Sequence, residues 1–378
     1  MTSPVKITVA GAGFAALTGI KELRKQLPDA ELTLVAPNAE FIYLPSLIWV
    51  PYGMRKGDDL RFDIEPLLNN LKAKFVQGSV TGISEDGRVL KTDNGDVEND
   101  ALLIATGGRF IKKLPGIENA ITICEGIAAA EAMGEKINAL SHGTIALGFG
   151  GNPKEPSAMR GGPMFELLFG LDSWLRKQGK RDKIKLVFFN PAPQPGKRLG
   201  EKAVKELLAE MKKRGIDTHL GHKIQSFQNN VVKTEGGEIA ADVILFMPGM
   251  TGPAWIQGSP LPLSEGGFIN ADAKTQVDGM ERIYVAGDAG SYPGPDWMPK
   301  QAHIADLQAK AAAKNIKLNL AGKAASEKFK VELVCIVDTL DKGILVYRSE
   351  SRAVVLPAMK LMHWAKSLFE KVYLRDLK

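Results

Sequence analysis

Two cysteines, Cys124 in "ITICEGIA" and Cys335 in "ELVCIVDTLDKG", are the only thiols in a chain of 378 residues. Read alone, a free cysteine is a small buried hydrophobe, and it becomes a nucleophile only where its surroundings favour the thiolate. Two thiols cannot build a disulfide framework, and with no C-x-x-C spacing no metal site is expected. Two charged residues stand in otherwise apolar runs. Glu166 in "GGPMFE" has the chemistry of a proton carrier, against the plainer role of a solvated acid in a first helical turn. Lys300 in "MPKQAHIADLQ" offers a cation to a developing anion, against a surface lysine capping a loop. His303, just beyond it, reads as a structural histidine.

The elements that must position these groups begin with "VKITVAGAGFAALTGIKELRKQL". An apolar strand runs into Gly11-x-Gly13-x-x-Ala16 and then into a helical pattern. Gly11 permits the tight turn, Gly13 lets a pyrophosphate approach the backbone, and Ala16 packs helix on sheet. Phosphate then meets the free N–H groups of a helix N-terminus. The second strand, "ELTLVAP", lacks the terminal acid for a ribose and ends in Ala36-Pro37, with Asn38 and Glu40 nearby. Two later strands end in Ala105-Thr106-Gly107 and in Gly287-Asp288, the acid suiting a hydroxylated chain such as a ribityl. These three segments in this order resemble the flavoproteins with two dinucleotide-binding domains. That resemblance implies FAD held by Gly11, Gly13, Thr106 and Asp288, with Ala16, Gly107 and Gly287 shaping the seat.

A second nucleotide seat is expected to be degenerate. "GTIALGFGGNPKEPSAMRGGPMFELLFG" has a strand and glycines, but Gly148-x-Gly150-Gly151 meets Asn152-Pro153 before any helix, and proline cannot continue one. "KIKLVFFNPAP" ends without an acid for an adenosine ribose. The sequence therefore points away from a nicotinamide donor and toward a small one.

"FIYLPSLIWVPYG", with Pro45-Ser46 and Trp49-Val50, resembles sulfide:quinone oxidoreductases and the flavoprotein of flavocytochrome c sulfide dehydrogenase. So do Gly162-Pro163 with Glu166, the Pro299-Lys300 stretch opening a helix, and "HWAKSLFEKVYL" at the C-terminus. The resemblance implies a sulfur donor attacking a flavin-facing cysteine disulfide, with electrons passing to quinone or to a haem partner. Cys335 falls at the downstream redox cysteine, its thiolate favoured by Lys300. Cys124 falls at the cysteine that in some members adjoins the flavin, sometimes linked to it. Met159 occupies the upstream cysteine position, and "PGKRLGEKAVKEL" stands where some members carry a histidine. Pro45 is carried over as part of the flavin seat.

The expected fold is α/β: an FAD domain over 1–112 and 249–320, an inserted Rossmann-like domain over 113–248, and a C-terminal redox and membrane segment over 321–378. A formal charge of +6, spread without a dense basic arm, argues against nucleic acid. No signal-peptide pattern opens the chain, and no apolar stretch reaches the ~20 residues of a membrane span. The tail places Leu361, Trp364, Ala365, Leu368, Phe369 and Val372 on one helical face, with Lys360, Lys366, Lys371 and Arg375 around the other. Such a helix suits a membrane interface. The reading is a peripheral-membrane enzyme passing electrons from a small sulfur donor through FAD to a membrane quinone. A type II NADH:quinone dehydrogenase and a flavin subunit docking a haem partner are the alternatives, and homo-oligomerisation stays open.

Overall fold

A computed structural model describes residues 3–377. The first apolar run forms β1 (Lys6–Ala10) and turns at Gly11, with φ +119°, into α1 (Phe14–Gln26). β2 (Glu31–Ala36), β3 (Ala73–Gln77) and β4 (Ala101–Ile104) follow. Then come α2 (Ile127–Ala139), β5 (Gly143–Phe149), α3 (Gly162–Lys177) and β6 (Ile184–Asn190). α4 (Glu201–Lys213), β7 (Asp217–Leu220), β8 (Val243–Met247) and β9 (Ile283–Val285) lead to α5 (Ala302–Leu320). The chain closes with β10 (Glu332–Asp338), β11 (Gly343–Ser349), β12 (Ala353–Met359) and α6 (Lys360–Tyr373).

Five strands in the order β9-β4-β1-β2-β3 make one parallel sheet. Four in the order β7-β6-β5-β8 make a second, also parallel. Parallel sheets are covered on both faces, so their central strands read as unbroken apolar runs; every residue of β4 is buried. This is the α/β class expected, with two Rossmann-like sheets. The strands of the second lie in sequence between β4 and β9 of the first. α1 lies on α5 through small residues. Ala309, Ala312 and Ala313 are fully buried, and a Cβ at Gly19 would collide with the Leu103 side chain.

The C-terminal unit is an antiparallel sheet, β10-β11-β12, with α6 against it. β10 alternates, turning Leu333, Cys335 and Val337 into the core while Val334 is exposed. α6 is mounted the opposite way from an ordinary surface helix. Leu361, Trp364, Leu368, Phe369 and Val372 are 56–67% exposed, whereas His363, Lys366 and Glu370 face inward and pair with Asp338, Glu166 and Arg55. This corrects one expectation: Lys366 does not belong to the outer polar rim. Its side chain is only 14% exposed, because a carboxylate buried at Glu166 requires a counter-charge. Tyr373 then packs against Phe14, Phe41 and Tyr43, which stitches the chain end into the first sheet's core. Among the described residues no helix is long and apolar enough to cross a membrane.

The far end of α3 is fixed by Asp172, whose side chain is fully buried. Its oxygens accept bonds from Arg181 at 2.6 Å, Arg176 at 3.0 Å and Arg214 at 3.1 Å. Arg214 follows α4, so one carboxylate joins two helices. Removing one partner of such a buried cluster costs about 3–5 kcal/mol. Asp172→Ala is therefore expected to lower the unfolding free energy obtained from urea titration by that amount, with no change in cofactor content of the folded fraction.

Candidate functional site

The sequence-predicted residues form one continuous band where the first sheet, the N-terminus of α3 and the C-terminal sheet meet. At one end is the glycine turn. A Cβ on Gly11 would collide with the Ala105 carbonyl, whereas Gly13 and Gly107 (φ +71°) have no atom within 4 Å of where a Cβ would sit. Gly13 also precedes α1 with no side-chain cap, so the first N–H groups of that helix face the opening. Ala16 is fully buried under the helix. Thr106 accepts a bond from Trp255 Nε1 at 3.1 Å. Open glycines before uncapped amides are what a pyrophosphate needs, so these residues fit the dinucleotide part of FAD.

The next part follows β9. Gly287 adopts φ +76° and donates its N–H to Gln308 at 2.8 Å. Asp288 pairs with Arg160, and the guanidinium is held above its ordinary range: burial opposes the charge, but Asp288 and Cys124 outweigh burial. Lys300 is only 8% exposed. It donates to the Gly290 carbonyl at 2.6 Å, with its ammonium 4.1 Å from the centre of the Phe268 ring. Burial lowers its pKa to about 8 against the pull of Asp288 and Glu155. Pro45 opens the 3-10 stretch Leu44–Tyr52, and the neighbouring Ser46 hydroxyl donates to Glu370 at 2.6 Å. His303 bonds Glu332 at 2.8 Å, a structural contact.

The two thiols lie further along, with Glu166 acting on both. Cys124 is half-buried, and loss of water raises its pKa while Arg160 opposes the rise. Cys335 faces the first turn of α3, its Sγ 3.6 Å from the position a Cβ on Gly162 would take. Burial and then the Glu166 charge push its thiol up to about 12, with Lys366 opposing. The expected help from Lys300 is therefore absent: the charges that act on Cys335 are Glu166 and Lys366, and the thiol is neutral. Met159 packs on the core that holds Cys335 and has a thioether to offer, not a thiol. Glu166 itself is buried, which raises its pKa to about 7 even against Lys366.

Five further residues of this band escape a reading of motifs: Arg160, Arg198, Asp338, His363 and Lys366. Arg198, in the stretch standing where relatives carry a histidine, donates to the carbonyls of Ser157, Met159 and Met298. It fastens the segment before α3 to the Pro299-Lys300 stretch. Arg160 gives a weak signal as a cation between Met159 and two glycines. The other three need the tertiary structure.

The second sheet offers a poorer seat. A Cβ at Gly161 would touch the Phe149 ring at 2.8 Å, so this ring fills the space below the helix start. Asn152 is buried and ties the loop away, donating to the carbonyls of Met250 at 2.9 Å and Gly266 at 3.0 Å. The loop spans residues 150–161 before α3 begins.

Comparison with known proteins follows this geometry. The family model for pyridine nucleotide-disulphide oxidoreductases matches residues 5–309. A sulfide-quinone reductase of Aquifex aeolicus is 24% identical, aligned over 97% of this chain and 90% of its own length. A type II NADH:quinone oxidoreductase of Staphylococcus aureus is 26% identical over 85% of this chain and 84% of its own. The solved sulfide:quinone oxidoreductase of Aquifex aeolicus superposes with a TM-score of 0.89 at 23% identity, covering 99% of this chain and 91% of that one.

The Glu166 environment yields a direct test. An acid whose pKa is raised keeps its proton to higher pH. The protonated-carboxyl infrared band of Glu166 is therefore expected to disappear with a midpoint at about pH 7 and to be missing in Glu166→Gln. Lys366→Met removes the opposing cation and is expected to move that midpoint upward.

Proposed function

The chain belongs to the pyridine nucleotide-disulphide oxidoreductase family, a family of flavin-dependent oxidoreductases, and we propose that it oxidises sulfide, or a related low-valent sulfur species, and passes the electrons to a membrane quinone. The observation that carries this reading is the place of Cys335, its sulfur against the first turn of α3 in one band with Glu166, Cys124 and Arg160. The full-length match to a sulfide-quinone reductase supports the donor. The quinone in the names of both kinds of relative supports the acceptor. The filled space at Gly161 and the tethered Asn152 weigh against NADH as donor.

FAD, when bound, takes an electron pair from the donor and gives it to the quinone. The chain's residues do the rest. Gly11, Gly13 and the start of α1 would receive the pyrophosphate, and Thr106 and Gly107 would help to hold it. Asp288 would hold the ribityl hydroxyls, and Lys300 would supply a counter-charge to the reduced flavin. Arg160 and Lys300 bring positive charge to a site for anionic hydrosulfide. With Met159 in place of a second thiol, no disulfide forms at that position. The bond to be made is S–S, between Cys335 and the donor sulfur. One hydrogen stays on the terminal sulfur and one leaves as a proton. Glu166 is the nearby carboxyl to carry it, and the thiol's burial keeps Cys335 protonated until the donor arrives. Cys124, beside Arg160 and Asp288, adjoins the flavin end of the band.

The exposed face of α6 is the proposed attachment to the membrane surface, with Lys360, Lys371 and Arg375 at the headgroups. A quinone confined to the bilayer has to be met there.

Two outcomes are expected. Sulfide, and not NADH, bleaches the flavin anaerobically; Cys335→Ser keeps its flavin absorbance but is no longer bleached by sulfide. Bleaching of Cys335→Ser at the parent rate would remove the thiol from the reaction, and bleaching by NADH alone would favour the dehydrogenase reading. For the membrane, whole-tail deletion is a poor test because Tyr373 and Leu374 belong to the core. The triple variant Trp364→Ser, Leu368→Ser, Phe369→Ser is the better one. Each side chain contributes about 1.5–3 kcal/mol when buried, so vesicle co-sedimentation is expected to weaken more than about 100-fold, with bleaching by sulfide unchanged.

A further inference from the structure

On the inner face of α6, His363 Nδ1 lies 2.7 Å from Asp338 Oδ2. Asp338 is fully buried at the end of β10. Its other oxygen already accepts the backbone N–H of Leu340 at 2.8 Å and Trp49 Nε1 at 3.3 Å. Both are donors only, so the carboxylate acts as an acceptor throughout and Nδ1 carries the hydrogen toward it. That fixes the tautomer of the neutral ring and leaves Nε2 as its basic nitrogen. Nε2 has no partner among the described residues, and the His363 side chain is 16% exposed. The ring stands edge-on to Trp49, 6.1 Å between centroids. It is therefore held in orientation, with one nitrogen free, on the first turns of α6 beside its exposed apolar face.

The charged groups around it are few. β10 contributes Asp338, α3 contributes Glu166, and the segment after the 3-10 stretch contributes Arg55, 4.9 Å from the Trp49 ring centre. α6 itself contributes Lys366, paired with Glu166, and Glu370, paired with Arg55. Each of these is committed to a partner. Among these groups His363 is the one with a ring nitrogen that has no partner among the described residues.

We propose that His363, oriented by Asp338, is the proton exchanger of quinone reduction. This rests on the quinone reading above. A quinone becomes a quinol by taking two electrons and two protons. His363 supplies one proton: its Nε2–H bond breaks, an O–H bond forms on the reduced quinone oxygen, and the neutral ring regains a proton from water at the membrane boundary. Asp338 stabilises the imidazolium between turnovers and keeps Nε2 directed outward. The other proton has a source in Glu166, which pairs with Lys366 three residues beyond His363 on α6. Asp338 is a positioning residue here, because it acts only through the ring.

The test separates proton exchange from docking. His363→Asn keeps a donor at the place of Nδ1 and so keeps the bond to Asp338, but it has no group that titrates. The full-length holoenzyme is reduced with dithionite, which needs no sulfur donor, and mixed anaerobically with decylubiquinone while flavin absorbance is followed over a range of pH. His363→Asn is expected to bind vesicles like the parent and to reoxidise about 100-fold more slowly, the smaller end of what general acid–base catalysis contributes. Its pH profile should differ from the parent's, keeping only the dependence that Glu166 contributes, and its rate should recover on addition of imidazole. An unchanged rate and pH profile in His363→Asn would overturn the proposal. So would a slow variant that keeps the parent's profile and ignores imidazole, because that pattern belongs to a docking contact. If the reduced parent itself does not pass electrons to decylubiquinone, the quinone reading falls and this proposal falls with it.

Discussion

A carboxylate withdrawn from water must find positive charge or hydrogen-bond donors inside the protein, and the C-terminal third of this chain is arranged around that requirement. Asp338 collects donors from the Leu44–Tyr52 stretch, from its own turn and from α6. Glu166 takes Lys366, and Glu370 takes Arg55 and Ser46. Together these acids hold α6 against β10 with its charged side inward. The position of Cys335 follows, since it lies three residues before Asp338 on the same strand. An apolar interface would have held the helix equally well, but it would have consumed the face that is now free.

This inversion marks the boundary between what was legible in the sequence and what was not. The glycine turn after β1, the buried parallel strands and the order of the three nucleotide-seat segments are local patterns, and local patterns survive into the structure. Helical periodicity in the tail separates an apolar face from a charged one, but it carries no information about which face meets the protein. Lys366 was misplaced for that reason. Glu166 and Lys300 were found because they sit in stretches whose local pattern carries the family resemblance. Arg160 and Arg198 were not, since their importance comes from a carboxylate and a carbonyl a hundred residues or more away, at Asp288 and Met298.

The thiol chemistry changes character on the same grounds. An exposed thiol beside a lysine is poised to ionise, whereas Cys335 is packed among Leu333, Val337 and Val346 and is acted on by an acid as well as a base. Its neutrality is a property of the sheet that carries it. The positive charge of the site is instead concentrated at Arg160, Arg198 and Lys300, on the side where Asp288 and Glu155 supply the balance. Positive charge and the buried thiol thus sit on different walls of the site.

The three arginines around Asp172 anchor α3 at the end opposite its chemistry. Asp172 lies ten residues beyond Gly162 on a helix that rises 1.5 Å per residue, about 15 Å along the axis, so part of its stability is secured away from the first turn. Substitution near the first turn then leaves the frame standing. Side chains there can be exchanged while the fold goes on presenting the same opening. In this sense the molecule keeps its reactive end evolvable: what it acts on can drift without the chain first having to find another way to fold.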